Sequence, residues 1–276
     1  MPTSVDEKRA AFKALHESGC FVLPNPWDVG SARLFGQLGF KALASTSSGY
    51  AWSQGYQDGA APLPLVLDYL RSLVQATDLP VNADFEYGFA QDVDTLVKNV
   101  RAAVDTGVAG LSIEDATGDP SAPLRSLEDS VQRLRAARRA IDESGQAVLL
   151  VGRAENFLHG NPDLADTLRR LRAYAAAGAD CLYAPGIHDR AHIQAVVEAV
   201  APKPVNVLIG SNSDLTLDEL AALGVRRVSV GGGLARVAWE SLRQAAGALA
   251  QGRFDAFGPA MPYPELNGLM RARRPD

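Results

Sequence analysis

Asp84 and Glu86 stand two residues apart at the exit of the apolar run 80-PVNADF-85. That spacing turns both carboxylates to the same side of an extended chain. Glu114 ends a second run, 109-AGLSIED-115, and Asp58 lies in an earlier loop, so three or four carboxylates can gather around one mouth. Carboxylates so gathered repel one another unless a cation or a proton joins them. Oxygen ligands without a Cys or His cluster favour Mg²⁺, with Mn²⁺ as a substitute, an ion that keeps several waters and uses few carboxylates. Arg153, at the end of 147-AVLLVGR-153, is the fixed cation suited to a bidentate grip on a substrate carboxylate. Each residue also has a structural reading. A strand-end acid can simply cap a helix or take loop amides, and Arg153 can simply pair with Glu114 or Glu155.

Other polar groups fall beside these. The loop Ser45-Thr46-Ser47-Ser48-Gly49 offers hydroxyl and amide donors, and later apolar runs carry Asn206, Ser229 and Gly231. The Gly231-Gly232-Gly233 triplet can cradle an anion, although a tight turn is the simpler reading. The four histidines show no metal spacing. His159 follows the fifth run and is within reach of the mouth, with a surface histidine as the plainer reading. Tyr183 is a candidate pocket residue, and Cys181 reads as core.

The elements that must position these groups are short apolar runs alternating with longer amphipathic stretches. The eight runs cover 20–25, 41–45, 80–85, 109–115, 147–153, 179–186, 204–210 and 225–232. Near-continuous hydrophobicity predicts parallel strands buried on both faces. Between them, Leu96, Val97, Val100, Ala103 and Val104 share a helical face, as do Ile193, Val196, Val197 and Val200, and Leu217, Leu220 and Leu223. Ser4 with Glu7 and Thr216 with Glu219 fit capping boxes. Pro162 is placed for a first helical turn. Gly39, Gly107, Gly178 and Gly224 fit left-handed helix ends. Eight strand-helix units predict a (β/α)₈ TIM barrel over 1–251, with a doubly wound sheet as the alternative. The candidate site residues then fall at strand C-terminal ends, where barrel chemistry sits. The segment 252–276 is apolar enough to need cover, from the barrel or a neighbouring subunit.

The bulk composition is consistent with this. The chain has 276 residues, 47% hydrophobic, with net charge −5. Its Lys and Arg are scattered, which argues against nucleic acid. Two cysteines cannot build a disulfide framework. Charges interrupt every apolar run before membrane-spanning length, and the N-terminus has no signal core. The expectation is a cytoplasmic protein.

Taken in order, several motifs resemble the isocitrate lyase/phosphoenolpyruvate mutase superfamily. They are 24-PNPWDVGSARLFGQLGFKALASTSSGYAWSQGYQDG-59, 82-NADFEYGF-89, 112-SIED-115, 151-VGRAE-155 and 227-RVSVGGG-233, and they cover nearly the whole barrel. The resemblance implies Mg²⁺ held largely through water by Asp58, Asp84, Glu86 and Glu114, most directly by Asp84. It implies that Ser45, Thr46, Ser47 and Arg153 bind the substrate. It also implies a last helix exchanged between subunits, in dimers assembled as tetramers.

The departures narrow the chemistry. Cleaving lyases of the superfamily carry a Lys-Lys-Cys-Gly-His-like motif after strand 4; here that loop is 116-ATGDPSAPLRS-126, without Cys, His or Lys. The phosphonate branch carries Asn or Thr and Lys in that loop and a His after strand 6; here there is neither Lys nor Asn, and strand 6 runs into Tyr183-Ala184-Pro185-Gly186. The expected activity is therefore what the shared parts can do: C–C cleavage or decarboxylation of an oxaloacetate-like 2-oxo acid through a metal-stabilised enolate. Arg153, Glu114 and Tyr183 are the expected catalytic groups, and Ser45–Ser47, Arg153, Asn206, Ser229 and Gly231 the substrate contacts. The alternatives are a lyase for a substituted malate or isocitrate-like acid with Tyr183 or His159 as proton donor, and a non-catalytic 2-oxo-acid-binding protein.

Overall fold

The computed structural model describes residues 3–271. Its strands are β1 (Phe21–Leu23), β2 (Leu43–Ala44), β3 (Val81–Asp84), β4 (Gly110–Glu114), β5 (Leu149–Arg153), β6 (Cys181–Tyr183), β7 (Val205–Leu208) and β8 (Arg227–Ser229), one within each apolar run. They form one parallel sheet in the order β1-β8-β7-β6-β5-β4-β3-β2. The β1–β2 seam is bridged by Ala44 N donating to Pro24 O at 3.1 Å and by Asn25 Nδ2 donating to Ser45 O at 2.8 Å. The result is a nearly closed TIM-type barrel, as the alternation predicts.

The helices are α1 (Val5–Leu15), α2 (Val29–Gln37), α3 (Ser47–Ser53), α4 (Leu63–Ala76), α5 (Val93–Val104), α6 (Leu127–Glu143), α7 (Leu164–Ala176), α8 (Arg190–Val200), α9 (Leu217–Ala222), α10 (Gly233–Ala250) and α11 (Tyr263–Met270). Leu96, Val100, Ala103 and Val104 bury the expected face of α5. Both expected capping boxes form, at Ser4–Glu7 and Thr216–Glu219. Gly178, which ends α7 at φ 104°, shows why glycine is needed there: a Cβ would sit 2.8 Å from Arg138 Cγ as well as in a left-handed backbone. Two details differ from expectation. Leu217 is exposed, because α9 is short and buries only Leu220. Pro162 precedes the N-cap, Asp163, whose carboxylate takes the amide of Asp166, so the proline stiffens the approach to α7 rather than its first turn.

At the N-terminal end of the barrel, Phe12 and a polar cluster fill the interior. Arg227 Nε donates to Asn206 Oδ1 at 2.9 Å, and Arg227 Nη1 reaches His16 Nε2 at 3.3 Å and Asn82 Oδ1 at 3.4 Å. The His16 Nδ1–H donates to Phe12 O at 2.7 Å. Burial, then the nearby Arg227 charge, depresses the His16 pKa to about 3, so the imidazole is neutral and its Nε2 accepts from Arg227.

Beyond β8 the packing thins. Helix α10 buries only Ala235 and Ala248, and its Val237, Trp239 and Leu242 are exposed. Helix α11 then packs on α2 of the same chain, where Arg33 Nη1 donates to Met270 O and Gln37 Nε2 to Leu269 O, each at 2.8 Å. Positions 272–276 of the expected C-terminal extension lie outside the described residues. Among the described residues no helix is long and apolar enough to cross a membrane.

Candidate active site

The C-terminal ends of β3, β4 and β5 open onto a cleft of about 440 Å³ lined by Ser47, Asp58, Glu86, Glu114, Arg153 and Glu155, among others. Register explains the gathering. Asp84, Glu114 and Arg153 each close their strand, and Glu114 pairs with Arg153 across β4–β5. Arg153 is the hub. Its Nη1 lies 3.0 Å from Asp84 Oδ1 and 3.1 Å from Glu114 Oε2, and its Nε bonds Glu155. Burial works against this guanidinium, but the Glu155, Glu114 and Asp84 carboxylates hold it well above its ordinary pKa. Tyr183 lies below, with Arg153 Cζ 5.2 Å from the ring centroid.

Glu86 is the unusual member. Its φ of 47° is a left-handed conformation, uncommon for a residue other than glycine and strained by about 1–3 kcal/mol. The turn directs a carboxylate only 7% exposed toward the cleft, and among the described residues no hydrogen bond holds it. Burial, then Asp84 and Asp58, pushes its pKa to about 8. Asp58 is raised by burial and by Asp84. Burial also raises Glu114, against the pull of Arg153. These carboxylates share a deficit of positive charge.

The donor set fits a hard divalent cation. Among the described residues no three His, Cys, Asp or Glu side chains converge into a ready cage. An ion that ligates one or two carboxylates and keeps its waters suits such a set better than Zn²⁺ or Ca²⁺, which demand closed or ligand-rich shells. Asp84 is central to the group, with Ser47 N donating to its Oδ2 at 3.0 Å.

The expected residues do not all meet in the cleft. Asp58, Glu86, Glu114, Arg153 and Ser47 do. Ser45 and Thr46 are buried behind it: Ser45 Oγ accepts the Asp84 amide at 2.8 Å, and Thr46 Oγ1 caps α3 through Gly49 N at 3.2 Å. Asn206 and Ser229 lie deeper, bonded to each other at 3.0 Å, and Asn206 also accepts from Arg227. Burial, before any charge, pushes the Tyr183 hydroxyl to about 12, and Ser229 hydrogen-bonds it. Its place is beneath Arg153, and it is not among the residues that line the cleft. Gly231 N, with Val230 N, donates to Asn25 Oδ1 at 2.9 Å, so the glycine stretch closes the barrel seam. The same Asn25 bonds Ser45 O, a joint for which its loop position gave no sequence signal.

Asp115, next to Glu114, points the other way. Its Oδ2 accepts from Arg170 at 3.0 Å and Tyr174 Oη at 2.6 Å, and its Oδ1 from Glu155 N at 2.8 Å. Strand alternation separates the two acids: one faces the cleft, one braces the helix layer. The cleft wall also includes Tyr87, Asp119, Pro120, Pro123, Leu158 and His159. Of these, the sequence singled out only His159, since a residue's place on a loop does not say which way it faces.

Comparison with known proteins agrees with the fold. The family model described as phosphoenolpyruvate phosphomutase matches residues 12–250. The oxaloacetate decarboxylase of Pseudomonas aeruginosa is 30% identical over 262 residues, covering 88% of this chain and 87% of that protein. A solved Burkholderia cenocepacia protein, assigned provisionally as a lyase/mutase, is 46% identical with a TM-score of 0.94, covering 98% of each chain. The structure of an oxaloacetate acetylhydrolase with the product oxalate is 25% identical with a TM-score of 0.84, covering 97% of this chain and 94% of that one.

Proposed function

We propose that this chain, which belongs to the phosphoenolpyruvate phosphomutase family, is a Mg²⁺-dependent carbon–carbon lyase whose simplest reaction is decarboxylation of an oxaloacetate-like 2-oxo dicarboxylate. The observation that carries the reading is Glu86, a buried carboxylate without a hydrogen bond among the described residues, strained toward a cleft it shares with Asp58 and Glu114. The relatives that act on oxaloacetate support the substrate class.

Asp84, Glu86, Asp58 and Glu114 would hold the ion, with Mn²⁺ as a substitute. When bound, it supplies Lewis-acid polarisation of the 2-oxo group. Arg153 keeps its Nη2 free of the bonds that engage Nε and Nη1, so that donor can hold the substrate's C1 carboxylate. Tyr183 beneath, and Asp84, Glu114 and Glu155 around it, fix the guanidinium plane. The Ser47 amide and hydroxyl orient Asp84 and Asp58. The C3–C4 bond breaks, its electron pair moves into C2–C3, the C2 oxygen takes the charge, and CO₂ leaves. No protein base is needed for that step. A water held among the cleft carboxylates then gives a proton to C3, and Glu114, paired with Arg153, lines that part of the cleft.

A second reading, cleavage of a substituted malate-like acid, draws on the apolar outer wall of Ala116, Pro120, Pro123 and Leu158, which could receive an alkyl substituent. Purified protein with Mg²⁺ and a panel of 2-oxo and 2-hydroxy di- and tricarboxylates separates the readings. CO₂ with pyruvate supports decarboxylation, and glyoxylate or a second carbon fragment supports the lyase. Tight Mg²⁺-dependent binding without turnover of any panel member would make the chain a binding protein.

The exposed apolar residues of α10 support assembly as a homo-oligomer, a dimer or tetramer in which this helix docks on a neighbouring barrel. Light scattering that gives a monomer mass at micromolar concentration would exclude it.

A further inference from the structure

The inner half of the cleft can hold one end of a diacid, but the groups described so far leave the other end without a counter-charge. Asp58, Glu86, Glu114, Glu155 and Asp119 all line the cleft and would repel a second carboxylate. The remaining outer wall is largely apolar. Besides Arg153, His159 is the only lining residue able to present a cation.

Its position is built. The turn after β5 is closed by Leu158 N and His159 N donating to Glu155 O at 3.0 and 3.1 Å, and by Asn161 N donating to Asn156 O at 2.9 Å. Gly186 lets β6's exit pass close beneath, because a Cβ there would lie 2.9 Å from Phe157 Cβ. The imidazole is about one-third exposed, and among the described residues neither ring nitrogen is hydrogen-bonded. Its Nε2 stands 3.8 Å from Glu155 Oε2, beyond hydrogen-bond reach. The other oxygen of Glu155 bonds Arg153. Arg153 and His159 therefore flank a single carboxylate, one at each of its oxygens, and both line the cleft.

We infer that His159 is the specificity residue that receives the substrate's distal carboxylate, so the cleft selects 2-oxo dicarboxylates over 2-oxo monocarboxylates. This rests on the Mg²⁺-dependent 2-oxo-acid reading given above and adds the residue that reads the far end. The hydrogen-bonded turn after β5 sets the place of the imidazole, and an unused ring N–H is the donor.

Calorimetry with two probes tests it, with Mg²⁺ present throughout. Oxalate is short enough to occupy only the inner half of the cleft, whereas 3,3-difluorooxaloacetate, an inhibitor of an oxaloacetate acetylhydrolase, carries a distal carboxylate. In His159→Leu, difluorooxaloacetate should bind about tenfold more weakly, the loss of one charge-assisted hydrogen bond, with oxalate changed less than about twofold. His159→Lys should restore most of the difluorooxaloacetate affinity and leave oxalate unchanged. Equal affinities for difluorooxaloacetate in wild type and His159→Leu would overturn the assignment. So would a parallel loss of both ligands, which would mean that His159 only supports the turn. Failure of oxalate to bind wild-type protein would instead remove the underlying 2-oxo-acid reading.

Discussion

The barrel interior holds two buried polar clusters, and they differ in how completely their groups are satisfied. At the N-terminal end, Arg227 is matched by Asn206, Asn82 and a neutral His16, whose own Nδ1–H bonds Phe12 O. At the C-terminal end, Glu86 has no hydrogen bond among the described residues, and several carboxylates share Arg153. Arg227 and Glu86, one in each cluster, are both buried, where an unmatched polar group costs most. The satisfied cluster reads as structure. The unsatisfied one reads as a site that a cation and an anionic substrate would complete, and its strain is the mark of function.

That contrast can be broken by substitution. Asp84→Ala removes the carboxylate central to the upper cluster. Turnover of the preferred substrate with Mg²⁺ should fall on the order of a thousandfold while the circular dichroism spectrum is retained. Activity near wild type would erase the distinction between the two ends. Asn206→Leu does the opposite, leaving Arg227 buried with one fewer acceptor. It should lower unfolding free energy by about 1–3 kcal/mol in urea denaturation, with KM for the substrate unchanged. A large KM shift in that variant would bring the lower cluster into the site.

The same contrast marks how far the sequence could be read. All eight strands fall within the apolar runs, because strands buried on both faces carry a continuous hydrophobic signal. Asp84, Glu86, Glu114 and Arg153 were legible because strand ends in a barrel project to one mouth. Asn206 and Ser229 were assigned to the same mouth from strand position alone, yet they sit a layer lower and bond each other. Depth along a strand three or four residues long is set by the stagger between neighbours, which one chain's sequence does not display. Helix α10 leaves Val237, Trp239 and Leu242 exposed, and the partner of such a face is not written in one chain's sequence.

A subtler effect concerns pH. Glu86 has a pKa raised to about 8, so in the cation-free protein it holds a proton at neutral pH. Binding a cation must displace that proton. Apparent Mg²⁺ affinity should therefore rise with pH, by up to about tenfold per unit between pH 6 and 8, and level off above it. Glu86→Gln should flatten the profile. A profile that is flat in wild type, or that falls with pH, would mean that Glu86 does not titrate with the ion.

The most direct measurement is calorimetric titration of Mg²⁺ into EDTA-treated protein, wild type and Asp84→Ala, in two buffers of different ionisation enthalpy. The account predicts saturable binding to one site in the wild type, with proton release seen as a buffer-dependent heat, and loss of that binding in Asp84→Ala. No saturable heat in the wild type, or the same isotherm in both proteins, would contradict it.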